Sequence, residues 1–218
     1  METYSTVPVP TDRRQGFILT RNWRDTPFGT EIEYWLATDS GPLKVLLTAQ
    51  TSVAFVERQH VSAVRAQLLT ASDVQLRELD LKTFQQTPVS GVYVKQFRQL
   101  GRLARSLQPL GISLLEADVR PHERYLMERF ITAGVVLEGG RMENAALVDC
   151  KLLPTPSFRP TLKVVSLDIE TSQHEDLYSI ALDGLSERTV FMLSEPDSVP
   201  VPPPGFNLVY CATRKAMI

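Results

Sequence analysis

Leu162-Lys163-Val164-Val165-Ser166-Leu167-Asp168-Ile169-Glu170-Thr171 is an apolar run that closes on two acids. From Leu162 to Ile169 it has the near-continuous hydrophobicity of a strand covered on both faces of a sheet. Side chains alternate along a strand, so Asp168 and Glu170 share one face at its carboxyl end and Leu167 and Ile169 take the other. Holding two like charges this close on a largely buried strand is costly unless a cation neutralises them, and oxygen ligands of this kind suit Mg2+ or Mn2+. The plainer alternative is that the strand stops at Asp168 and both acids are solvated turn residues.

Upstream, Pro154 to Pro160 holds three prolines in seven residues and can continue neither a helix nor a central strand, which predicts a linker over 154–160. Downstream, Leu177–Leu182 and Thr189–Leu193 are expected as the next two strands, joined through Asp183-Gly184, with a further strand at Asn207–Thr213 and a helical turn opening at Arg214. The proline-dense stretch Pro196–Pro204 reads as an extended excursion. No return strand follows, so 161–218 is expected to be the start of a domain and not a whole one.

Before the linker, residues 15–153 are expected to form one α+β domain, preceded by a tail over 1–14. Strand candidates at Gly16–Asn22, Glu31–Ala37, Leu43–Thr48 and Val53–Val56 are separated by turn signals and suggest an antiparallel meander. Val61, Val64, Leu68 and Leu69 recur at helical spacing, followed by strands at Val74–Leu79 and Val89–Gln96. A second helix is predicted from Gln96 to Leu107, with Phe97, Leu100, Leu103 and Leu107 on one face. After a strand at Ile112–Ala117, a third helix starts at Pro121 and turns Leu126, Met127, Phe130 and Ile131 inward; strands at Val135–Glu138 and Ala145–Leu152 complete the domain.

Bulk composition excludes several classes. The chain of 218 residues is 43% hydrophobic and 22% charged, with a net charge of −2, so a wholly electrostatic, histone-like mode of DNA binding is ruled out. No apolar run approaches the ~20 residues of a membrane span, and no secretion signal opens the chain, which predicts a cytoplasmic protein. Cys150 and Cys211 lack metal-ligand spacing and are expected as free thiols. His60, His122 and His174 are scattered, and no nucleophile motif is present.

The strand-end motif resembles the first exonuclease motif of the family B DNA polymerases. Glu116-Ala117-Asp118-Val119-Arg120-Pro121 and Glu123 to Ile131 look like the segment that precedes it in bacterial members. Gly16-Phe17-Ile18-Leu19-Thr20-Arg21, Trp23-Arg24-Asp25-Thr26-Pro27 and Trp35-Leu36-Ala37-Thr38-Asp39 resemble their opening residues. The similarity is collinear from Gln15 to Leu193. It implies a β-rich amino-terminal domain with three helices, followed by the truncated start of a ribonuclease H-like 3′→5′ exonuclease domain. There, four carboxylates hold two Mg2+ or Mn2+ ions ~3.5–4 Å apart across the scissile phosphate. Asp168 would bridge both ions and Glu170 would hold the ion carrying the attacking water; the other two acids belong to later motifs. The implied partners are template DNA, a primer 3′ end and, for a full polymerase only, deoxynucleoside triphosphates and a replication clamp engaged by other regions. The setting implied is replication or repair at the bacterial nucleoid, and the segment alone is expected to be nearly inactive as a nuclease.

Two local patterns add a DNA-binding expectation. Lys95, Arg98, Arg102 and Arg105 follow a 3-4-3 spacing that lines one helix face and could take phosphates. Arg21, Trp23, Arg24 and Tyr34 interleave cations with aromatics, as base-stacking surfaces do. The ordinary alternatives are a solvated helix face and a core tryptophan. A free-standing nucleic-acid-binding module without catalysis is the competing function, and a protein-interaction module is a third.

Overall fold

Ile32, Tyr34 and Leu36 alternate with more exposed residues along one strand, and their burial organises the larger part of the molecule. The structure is a computed structural model that describes residues 14–67, 74–194 and 204–217, divided into two compact units, Met1–Pro160 and Thr161–Ile218. Leu68, Leu69, the 1–13 tail and the proline segment up to residue 203 lie outside the described residues.

The first unit begins with β1 (Arg14–Thr26), β2 (Gly29–Thr38), β3 (Gly41–Gln50) and β4 (Ser52–Glu57), then α1 (Val61–Gln67), β5 (Val74–Lys82) and β6 (Pro88–Val94). It continues through α2 (Phe97–Leu107), α3 (Pro121–Met127), β7 (Gly134–Glu138), β8 (Arg141–Glu143), β9 (Ala146–Val148) and β10 (Lys151–Pro154). Seven strands form one mixed sheet in the order β10-β7-β1-β2-β3-β9-β8, and β4-β6-β5 form a separate antiparallel sheet.

The expected meander therefore holds only for β1, β2 and β3. Ala49, in the left-handed region at φ 51°, turns the chain, and β4 leaves to pair with β6 instead of β3. The β1–β2 turn is tight: Gly29 sits at φ 139° against the backbone of Ala49 and Gln50, where a side chain would crowd the main chain. On the inner side of the large sheet, Ile32, Tyr34, Leu36, Val45, Leu47, Leu137 and Leu152 pack with Tyr125, Leu126 and Ile131. Each fully buried aliphatic side chain there contributes ~1.5–3 kcal/mol.

α2 packs on the small sheet through Leu100, Leu103 and Leu107, and Gly111 at φ 69° receives the chain after a short 3-10 turn. The predicted strand at Ile112–Ala117 does not form. Leu115 makes a lone bridge with Phe55, and Glu116 at φ 56° redirects the backbone. α3 is shorter than expected: Leu126 and Ile131 are buried, but Met127 and Phe130 face solvent because Phe130 adopts φ 53° and ends the turn. The predicted strand Ala145–Leu152 is broken at Asp149, φ 54°, so β9 runs parallel to β3 while β10 pairs with β7.

The second unit contains β11 (Ser166–Thr171), β12 (Leu177–Asp183), β13 (Arg188–Leu193) and β14 (Phe206–Cys211), followed by a 3-10 turn at Arg214–Ala216. β11, β12 and β13 are antiparallel in that order, and β14 runs parallel to β13. β11 starts at Ser166, not at Leu162, and all six of its residues are exposed. The expectation of a strand covered on both faces is corrected here: β11 is an edge strand of this four-stranded sheet, and Leu167 and Ile169 are 59% and 50% accessible.

Candidate functional site

Two arrangements gather the residues singled out by the sequence. The first is a groove of about 930 Å³ beside α2. Arg98, Arg102 and Arg105 stand at i, i+4 and i+7 and reach solvent from the side of the helix opposite its buried leucines. Gly101, Ala104 and Ala117 line the same groove and are too small to fill it. Trp23 of β1 borders it, half-buried and edge-on to Phe97, with ring centroids 4.8 Å apart and planes at 75°. Arg120, just before α3, adds a fourth guanidinium, against two carboxylates, Asp25 and Asp118. None of the four arginines has an ion-pair partner among the described residues. By contrast, a second cavity of about 440 Å³ contains Arg124 and Arg129, which are engaged by Glu116 and Glu128.

The groove thus joins two patterns that the sequence presents separately, the arginine row of α2 and the tryptophan of β1. Lys95 is half-buried ahead of the helix and is not among the lining residues. Arg21 is engaged with Glu123 at 3.4 Å, and Arg24 with Glu31 at 2.7 Å. Tyr34 is fully buried and donates its hydroxyl to the His122 carbonyl at 2.6 Å, so it is a core residue and no stacking platform. The sequence does not single out Asp25, Phe97, Asp118 or Arg120 as groove residues; Asp25, Asp118 and Arg120 enter in the strings that carry the family resemblance, and Phe97 on the apolar face of the second helix.

The second arrangement is the acid pair. Strand alternation sets Asp168 and Glu170 on one face of β11, opposite Ala181 and Ser179 of β12, with a register shift just after Glu170. Asp168 Oδ1 accepts from the Ile169 amide at 3.0 Å. Because both acids face solvent, water screens their repulsion, and the cost expected for a buried pair does not arise. Hard carboxylate oxygens on one face fit Mg2+ or Mn2+ chemically, but no group of three or more potential ligands occurs among the described residues.

The histidines stay apart from both arrangements. His60 is near Glu57, His174 is exposed in the β11–β12 connection, and His122 is buried with its pKa lowered by desolvation against the opposing pull of Glu123. Cys150 and Cys211 are free and buried, and burial pushes the Cys150 thiol up to about 11. No helix among the described residues is long and apolar enough to cross a membrane.

Residues 16–51 match the family described as DNA polymerase II, N-terminal, and residues 52–112 match its insertion domain. DNA polymerase II of Escherichia coli strain K12 is 47% identical over 203 residues, 93% of this chain and 26% of that protein, so the chain spans about a quarter of the length of this relative. The family B DNA polymerase from the hyperthermophilic archaeon Pyrobaculum calidifontis has a similar fold, with a TM-score of 0.64 at 17% identity, over 84% of this chain and 27% of that one.

Proposed function

We propose, from the premise that this chain belongs to the family B DNA polymerases through DNA polymerase II, that it serves a DNA-directed DNA polymerase in two ways. The groove of the first unit takes single-stranded template, and the acid pair of the second contributes to a 3′→5′ proofreading exonuclease of ribonuclease H type.

The observation that carries the exonuclease reading is the pair Asp168 and Glu170, side by side on one face of β11 in a chain 47% identical to a DNA polymerase II. Divalent ions held there would polarise the scissile phosphate and supply a water nucleophile. Asp168 and Glu170 would hold them as hard oxygen donors, in the company of further acids from beyond the second unit. Among the described residues of the first unit there is no hydrolytic constellation, and its part is to bind. Four guanidiniums meet phosphates through long, salt-sensitive interactions, and Trp23 supplies an aromatic border for a base.

In a polymerase containing this segment, Asp168→Ala with Glu170→Ala is expected to abolish removal of a mismatched 3′ nucleotide and leave primer extension largely intact, read on a labelled primer-template. Full-rate removal by the double variant overturns the assignment. The exposure of the acid pair and the absence of a third ligand among the described residues favour one alternative, a nucleic-acid-binding module without chemistry. That alternative predicts no nuclease activity in any context and DNA affinity unchanged by Asp168→Ala.

A further inference from the structure

The arginine row can act as a row only if α2 starts at a fixed place and in a fixed direction, and the helix secures only part of its own start. Gln96 and Gln99 form a capping box, in which the Gln96 amide donates to Gln99 Oε1 at 2.7 Å, but this leaves the first two helical amides, those of Phe97 and Arg98, to be satisfied from elsewhere. They are satisfied by Asp25, more than seventy residues earlier in the chain, with the Thr30 hydroxyl as a second, longer acceptor for the Phe97 amide at 3.2 Å. Asp25 Oδ1 accepts from the Phe97 amide at 2.9 Å, and Oδ2 accepts from the Arg98 amide at 3.0 Å. The buried Thr30 hydroxyl donates to Oδ1 at 2.8 Å and orients the carboxylate. Alongside, Gln96 Nε2 donates to the Thr26 carbonyl at 2.8 Å, and Trp23 packs edge-on against Phe97. The end of β1 is thereby bolted to the first turn of α2.

We propose that Asp25 is the positioning residue of the groove: its carboxylate sets the start of α2 and so holds Arg98, Arg102 and Arg105 in register with Trp23 and Arg120. The inference rests on the reading that the groove takes single-stranded DNA. A carboxylate in a phosphate-binding groove is unfavourable unless its charge is absorbed, and here both oxygens face backbone amides at the positive end of a helix. Asp25 therefore aids binding through geometry, although its charge alone opposes it.

The test is the affinity of this chain for a fluorescein-labelled oligothymidine across a salt series, with circular dichroism as a check on folding. Replacing Arg98, Arg102 and Arg105 together by Gln is expected to weaken binding and flatten the log–log salt dependence by about 2, at ~0.7 for each single-strand phosphate that an arginine no longer neutralises. Asp25→Ala is expected to weaken binding about tenfold and to flatten the same slope, yet to add almost nothing in the triple-Gln background, because both changes act on the same phosphates. Asp25→Asn, which keeps one acceptor oxygen, is expected to fall between. Wild-type affinity and slope in a folded Asp25→Ala, tighter binding, or a weakening that adds in full to that of the triple variant overturns the proposal while the groove reading stands. If Asp25→Ala does not fold, Asp25→Asn and Thr30→Val carry the same comparison, and wild-type binding by both overturns it. Wild-type binding by the triple variant overturns the groove reading and this inference with it.

Discussion

His122 shows how much a single position can depend on context that sequence does not carry. Its side chain is buried on α3, its Nδ1 has no partner among the described residues, and its backbone carbonyl receives the Tyr34 hydroxyl. Burial lowers its pKa, Glu123 pulls the other way, and Arg21 and Arg120 reinforce the lowering. The unfolded chain protonates this histidine near the ordinary ~6.5, whereas the folded protein resists until a lower pH. Folding stability should thus be unaffected above that value and fall as pH drops below it, down to the depressed folded value. Melting temperatures measured from about pH 7.5 to about pH 5 should decline, and His122→Leu should flatten that part of the decline; an unchanged slope in the variant contradicts this. Tyr34 depends on context too. An aromatic among arginines reads as a platform in sequence, but only the fold shows that β2 turns it inward beside Tyr125, where burial raises its hydroxyl pKa above the usual range.

α2 is the element whose sequence is most legible, because a helix writes its two faces into a period of 3.6 residues. Leu100, Leu103 and Leu107 are buried and Arg98, Arg102 and Arg105 are exposed, as the spacing predicts. The two faces should separate cleanly in experiment. Leu103→Ala should cost ~2–5 kcal/mol of stability in urea denaturation. Replacing the three arginines by Gln should shift stability by only ~0.5 kcal/mol per site. A large stability loss in the arginine variant, or none in Leu103→Ala, would show that the faces are misassigned. Short elements are less legible for a physical reason. At Ile112–Ala117 the apolar pattern is present but no neighbouring strand is available beyond the lone bridge at Leu115, and pairing partners are not encoded locally. Single residues at positive φ, Asp149 and Phe130 among them, cut the predicted strand and shorten the predicted helix without any glycine to announce them.

At the scale of the whole molecule, the order of strands and helices is largely readable, and the sheet membership is not. β4 follows β3 after a single residue yet joins another sheet, and β9 reaches β3 in parallel from about a hundred residues away. Such long-range choices go with packing that no local window contains: Leu147 of β9 lies in one core with Tyr125, Leu126 and Leu152, whereas Val56 and Ala54 of β4 lie in others with Leu103, Leu107 and Leu100 of α2. The second unit shows the converse. Its acid motif is the most telling string in the chain, yet the burial it advertises is absent from this sheet, where β11 lies at an edge with both faces open. Leu167 and Ile169 alternate with Asp168 and Glu170 along it, and all four are exposed, so the strand's alternation is legible in the sequence while its exposure is not.

The central question is whether Asp168 is a metal ligand. In a polymerase containing this segment, Asp168→Cys replaces a hard oxygen donor by a soft sulfur. Removal of a mismatched 3′ nucleotide should be lost in Mg2+ and return, at least in part, when Mn2+ or Cd2+ is supplied. Full activity in Mg2+, or no recovery with any softer ion from a variant that still extends primers normally, would contradict it.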